Sequence, residues 1–129
     1  MLDQLLGCID TLRERMTTHA NSLQANEWRT RTQLIDPMLC VLGWDVSDPE
    51  LVTPEYNTGG KKRADYALLN VDKNPLVVLE TKALNMTLTE DHREQMVNYA
   101  VGKGILYAGL TSGNKWELYC TAPLTGTIS

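Results

Sequence analysis

Residues 63–82 limit how this chain can fold more than any other stretch. Arg63 to Leu69 and Leu76 to Lys82 are short apolar runs rich in β-favouring side chains, and Asn70, Asp72, Asn74 and Pro75 between them are turn formers. The stretch therefore reads as two antiparallel strands and a loop. If Leu69 pairs with Leu76, counting back along both strands sets Ala67 opposite Val78 and Asp65 opposite Glu80. Directly opposed side chains have Cβ atoms roughly 4.5–5.5 Å apart, where like charges destabilise a sheet. A positive group is expected between them. Strand side chains alternate with period two, so Lys82 joins Glu80 on one face while Leu79 and Thr81 point to the other.

Two readings of Asp65, Glu80 and Lys82 stand open on the residues alone. One is an ion pair at the open end of a hairpin, which contributes little. The other is a Mg²⁺ site, since that ion takes one or two carboxylates and completes its shell with water and substrate phosphate.

A chain of 129 residues is expected to form one domain, spanning 1–129, with enough buried surface to fold alone. No apolar run approaches the roughly 20 residues of a membrane span. The N-terminus lacks a basic segment followed by an apolar core, so no signal peptide is expected and a cytoplasmic location follows. Cys8, Cys40 and Cys120 are odd in number and widely spaced among apolar residues, the pattern of packed, reduced thiols. His19 and His92 stand apart from each other and from any cysteine pair, and no special role is expected of either. A net charge of −4 opposes general affinity for nucleic acid, which comes from neutralising phosphates. Locally, Arg29 and Arg31, and the run Lys61, Lys62 and Arg63 leading into Asp65, are candidates for a basic lip beside an acidic pocket; the plain alternative is a solvated charge run.

Leu2, Leu5, Leu6, Ile9, Leu12 and Met16 form one helical stripe, which Asn21 and Ser22 interrupt. Asn26 is a candidate N-cap for a second helix over 26–42 that Gly43 stops, with Ile35, Met38, Leu39 and Leu42 buried and a kink at Pro37. Glu27 falls in its first turn, where a carboxylate suits the helix dipole. An edge strand is predicted over 51–57, because Pro54 removes a ladder donor, and Gly59-Gly60 turns the chain into the hairpin. After Lys82, Thr87 and Glu90 suggest a capping box for a helix ended by Gly102 and Gly104, with Gln95 and Tyr99 on one face. Strands over 105–111 and 115–120 close the chain around a turn at Ser112-Gly113-Asn114. The intervening helix is long enough for a crossover, so the 105–111 strand is expected to run parallel to the strand before it. The fold class is α/β, a mixed sheet of about five strands flanked by helices, in the order α-α-β-β-β-α-β-β.

Asp65 followed by Glu80-Thr81-Lys82 at the end of an apolar strand resembles the PD-(D/E)xK nuclease superfamily, whose restriction-endonuclease-like core has a compatible order. Glu27 with Leu34-Ile35-Asp36-Pro37-Met38-Leu39 and Leu42-Gly43-Trp44, Gln95 with Tyr99, and Leu110 to Tyr119 resemble the N-terminal nuclease domain of type I restriction enzyme R subunits. The likeness covers residues 26–119 and leaves 1–20 outside it. Ala64 stands where the superfamily is named for proline. No phosphate loop is present, since Gly59-Gly60-Lys61-Lys62 lacks its spacing. The resemblance implies a Mg²⁺-dependent DNA endonuclease, with Mn²⁺ as a substitute, in a restriction system. Asp65, Glu80 and the Thr81 carbonyl would be ligands, Lys82 and Glu27 catalytic partners, and Gln95, Tyr99, Lys61, Lys62 and Arg63 phosphate contacts or supports. A separate ATP-dependent translocase or restriction-modification subunits would be partners. A noncatalytic DNA-binding or assembly module, and a standalone junction-resolvase-like nuclease acting as a homodimer, are the competing expectations.

Overall fold

A computed structural model of the chain describes residues 2–57 and 63–122. Five strands form one mixed sheet in the order β1-β2-β3-β4-β5: β1 (Val52–Tyr56), β2 (Ala64–Leu69), β3 (Pro75–Thr81), β4 (Tyr107–Thr111) and β5 (Trp116–Cys120). All neighbours are antiparallel except β3 and β4, which run parallel across the crossover helix α5 (Glu90–Lys103). Helix α5 packs on one face of the sheet, over Ala67, Leu69, Val78 and Ala108, with Met96, Tyr99 and Ala100 turned inward. The other face carries Tyr66, Leu68, Val77 and Leu79 against Ile35 and Leu39. Strands β2 and β3 are thus buried on both sides, which explains their unbroken apolar runs.

The helices before the sheet are α1 (Leu2–Thr18), α2 (Ala20–Gln24), α3 (Glu27–Thr30), a π-helical segment (Arg31–Ile35) and α4 (Asp36–Val41). Helix α1 folds back on its own domain, where Leu12 joins Leu23, Leu34 and Leu84 in a separate cluster. Helix α2 lies where Asn21 and Ser22 had been expected to break the pattern; these residues cost a helix only a fraction of a kcal/mol each (about 0.5) and Leu23, fully buried, anchors the turn. Asn26 caps α3 by accepting from the N–H of Arg29 at 3.0 Å. The kink expected at Pro37 is a widened turn immediately before it. Proline cannot donate to Gln33 four residues back, and that carbonyl accepts from Arg15 Nη1 at 2.8 Å instead. Leu34 and Ile35 on this segment are fully buried, each contributing about 1.5–3 kcal/mol of apolar transfer.

Several expectations need correction. Leu69 pairs with Pro75 and not Leu76, because a bulge lies between Leu68 and Leu69, yet Ala67 still faces Val78. The capping box of α5 uses Thr89 and His92 rather than Thr87 and Glu90: Thr89 Oγ1 accepts from the N–H of His92, and His92 Nδ1 accepts from the N–H of Thr89. Gly102 continues the helix, and Gly104, at φ 69°, ends it. Leu42 is half exposed, being past the last turn of α4. The cysteines are free, but Cys40 and Cys120 are exposed and Cys8 only partly covered, so they are not packed in the core. Gly59, Gly60, Lys61 and Lys62 lie outside the described residues. Among the described residues no helix is long and apolar enough to cross a membrane.

Candidate active site

The β2–β3 register, continued past Tyr66 and Leu79, carries Asp65 and Glu80 to the sheet end as neighbours. Their carboxyls lie close enough for each to act on the ionisation of the other. On the other side of β2 the ladder is interrupted: Pro54 pairs with Tyr66 and Tyr56 with Ala64, while Glu55 between them has φ 52°. A non-glycine residue in that region costs of order 1–3 kcal/mol, and such strain persists where surrounding contacts hold it. Here the holding contacts are ionic. Glu55 bridges Arg31 Nη1 at 3.0 Å and Arg63 Nε at 3.1 Å.

The positive group demanded by two adjacent carboxylates is Arg31, not Lys82. Its Nη2 lies 2.8 Å from Asp65 Oδ1, and its Nε donates to Thr81 Oγ1 at 3.3 Å. Asp65 Oδ2 accepts from the N–H and from the hydroxyl of Thr81, both at 2.7 Å. Thr81 does lie on the face opposite Glu80, but its hydroxyl reaches Asp65, which touches partners on both sides of the sheet end. Lys82 Nζ sits 4.0 Å from Glu80 Oε2, a looser contact.

These contacts divide the two acids. Burial opposes ionisation at Asp65, but hydrogen bonds from Glu80 and from Thr81, with the charge of Arg31, outweigh it and hold the carboxyl below the usual range. Burial first, then the hydrogen bond and charge of Asp65, push Glu80 from an ordinary 4.5 up to about 8; Lys82 opposes the rise and Glu27 adds to it. Asp65 is the ionised partner and Glu80 holds a proton at neutral pH.

Glu80 and Lys82 open into a cleft of about 210 Å³ lined also by Arg63, His92, Gln95, Met96 and Tyr99. Gln95 and Tyr99 thus sit with Glu80 and Lys82, as their shared helix face allows. The Tyr99 hydroxyl donates to the Tyr56 carbonyl at 3.3 Å, so it braces β1 and not Lys82. Arg63 is largely exposed at the rim. Glu27 is exposed on α3 and acts on Glu80 through its charge. Lys61 and Lys62 lie outside the described residues. Arg31 is no part of a basic lip, being 7% exposed, and Arg29 stays on the surface.

Among the described residues no group of three or more His, Cys, Asp or Glu could enclose a metal ion. Asp65 and Glu80 supply two hard oxygen donors, a set that suits a divalent ion keeping part of its water shell and taking phosphate oxygens, and does not suit an all-protein cage. Glu55 and His92 were missed, and Arg31 was named only for a basic lip beside the pocket and not for the acidic centre itself. Arg31 left a trace in the sequence, for it occupies the apolar stripe of Leu34, Ile35 and Met38 at helical spacing.

No protein-family model matches the sequence, and no curated protein matches it. Among solved structures, a fragment described as an HsdR subunit of a type I restriction enzyme from Vibrio vulnificus YJ016 is similar at 27% identity and a TM-score of 0.60. The similarity covers 74% of this chain and 21% of that one, so the chain corresponds to about a fifth of its neighbour. The mixed five-stranded sheet with its helices is a restriction-endonuclease-like fold.

Proposed function

We propose that this chain is a restriction-system domain that hydrolyses DNA phosphodiester bonds with a divalent metal ion at the open end of the β2–β3 hairpin. The observation that carries the reading is Glu80 and Lys82 together in one cleft at the end of the sheet, with Asp65 next to Glu80 across the hairpin. The likeness to an HsdR fragment supports the restriction-enzyme context. Asp65 and Glu80 would hold Mg²⁺ or Mn²⁺, with the Thr81 carbonyl as a further donor. The ion would supply a water acidic enough to attack near neutral pH and a clamp on phosphate oxygens. Lys82 lies close enough to Glu80 to orient that water or to meet negative charge on the phosphate. Glu27 adds negative potential, and Arg63 and Gln95 line the path a backbone phosphate would take. A separate ATP-dependent translocase or restriction-modification subunits would be the chain's partners.

One observation favours a second reading. Asp65 already accepts two hydrogen bonds from Thr81 and pairs with Arg31 at 2.8 Å, as a purely structural ion pair would, and this suits a noncatalytic DNA-binding or assembly module. Plasmid nicking in Mg²⁺ or Mn²⁺ separates the two. Under the nuclease reading wild-type protein nicks and Asp65→Asn and Lys82→Ala do not, while all three keep the same circular dichroism. Wild type that binds DNA, remains folded and cuts nothing with either ion favours the module. A branched substrate and a mass measurement test the resolvase-like homodimer.

A further inference from the structure

We propose that Arg31 is the resident cation of this acidic centre: it orients Asp65, fills the side facing Glu55, and so restricts the site to a single divalent ion between Asp65 and Glu80. The inference rests on the nuclease reading and deepens it. Arg31 bridges Glu55 and Asp65, so its guanidinium fills the space between these two carboxylates that a second ion would need. Its guanidinium spends Nη1 on Glu55 at 3.0 Å, Nη2 on Asp65 at 2.8 Å and Nε on Thr81 Oγ1 at 3.3 Å. Ring contacts to Trp28 at 5.5 Å and Tyr66 at 5.4 Å hold the plane of the group. The side chain is buried and rises from the first residue of the π segment, a backbone fixed by Leu34 and Ile35 beneath it.

The oxygens of Asp65 supply the second part of the case. A carboxylate offers about four lone-pair directions. Thr81 takes both directions of Oδ2 through its N–H and hydroxyl, and the Arg31 guanidinium lies as an ion pair against Oδ1 at 2.8 Å. Paired ions sit roughly 3.5–4 Å apart, and a carboxylate shared between them needs a free direction for each. Asp65 has only what Oδ1 leaves beside Arg31, and a second dication on the Glu55 side would meet a buried guanidinium. Lysine would not reproduce this arrangement, because an ammonium is a point charge without the planar fork that reaches three acceptors.

The test is a Mn²⁺ titration of the full chain with a short DNA duplex, counted by electron paramagnetic resonance and calorimetry, on wild type and Arg31→Lys at low temperature. Expected are one ion per wild-type chain and at least tenfold weaker binding in Arg31→Lys with folding intact by circular dichroism, since the charge remains and the fork is lost. A count of two, or unchanged affinity in folded Arg31→Lys, overturns the proposal. Should Arg31→Lys not fold, the wild-type count decides alone. Two ions with DNA cleavage removes only the role given to Arg31, whereas no ion and no cleavage removes the nuclease reading with it.

Discussion

Replacing Glu80 by glutamine tests the electrostatics of the centre directly, and the expected result is a gain in stability with a loss of function. Glu80 is raised from 4.5 to about 8 by burial and by Asp65. Between those values the folded state holds a proton that the unfolded state releases. Wild-type stability is therefore fully present below about pH 4.5 and is lost as pH rises towards 8. At about 1.4 kcal/mol per pH unit the upper bound is about 5 kcal/mol. The side chain is 26% exposed, and solvent screening reduces this to about 2–3 kcal/mol. Glutamine has the shape of the protonated acid, its amide can donate to Asp65, and it does not titrate. Urea unfolding without divalent ions should find Glu80→Gln equal to wild type near pH 5 and more stable by about 2–3 kcal/mol near pH 9. The same variant should lose at least a hundredfold in metal-dependent nicking. A stability difference that does not change with pH, or a variant less stable than wild type near pH 9, refutes the reasoning.

Other outcomes follow from the same contacts. Lys82→Ala should abolish nicking while shifting stability by less than about 1 kcal/mol, because its contact with Glu80 is 4.0 Å long and partly solvated; a large loss of stability in urea would contradict this. Metal binding near pH 7 should release close to one proton per chain as Glu80 ionises, read from calorimetric enthalpies in buffers of different ionisation heat; no dependence on buffer would count against it. Gly113→Ala should cost about 1–3 kcal/mol, since Gly113 has φ 89° and an added Cβ would lie 2.9 Å from Leu34 Cδ1 and 3.2 Å from Thr30 Cγ2. Thermal unfolding checks it, and a change of under about 0.5 kcal/mol would show that the turn relaxes.

The hairpin was legible because its information is local and periodic. A bulge at Leu69 shifts the loop end by one residue, yet the extra residue is absorbed before Ala67 meets Val78, and the Asp65 end is untouched. The crossover and parallel β4 followed from the length of α5 alone. Arg31 could not be placed in the same way. Its bond to Thr81 spans 50 residues, and no spacing rule joins a helix residue to a strand end at that distance. What could be read was a conflict, a guanidinium on an otherwise apolar stripe, which demands a buried anion somewhere. Glu55 left no trace, because its left-handed backbone is imposed by ion pairs that exist only once the sheet has formed. The cysteines misled because apolar neighbours in sequence say little about the last turn of a short helix or about an edge strand.

The departures from regular structure converge on Asp65. The interrupted β1–β2 ladder at Glu55 turns that carboxylate towards Arg31, and the π segment ahead of Pro37 is where Arg31 starts. The carboxyl of Asp65, in place of a backbone carbonyl, takes the Thr81 N–H at the end of the ladder. The break in the ladder at Glu55 and the side-chain acceptor for Thr81 each weaken the sheet, and an uninterrupted sheet with an apolar residue at position 65 would avoid both. The irregular elements have in common that they hold one ionised carboxylate in a fixed direction beside a second that remains protonated. A structural ion pair requires only the first of these. Glu80, kept neutral first by burial and then by Asp65, opens with Lys82 into the cleft, where an inert ion pair would need no second acid, and the proposed metal centre rests on that placement.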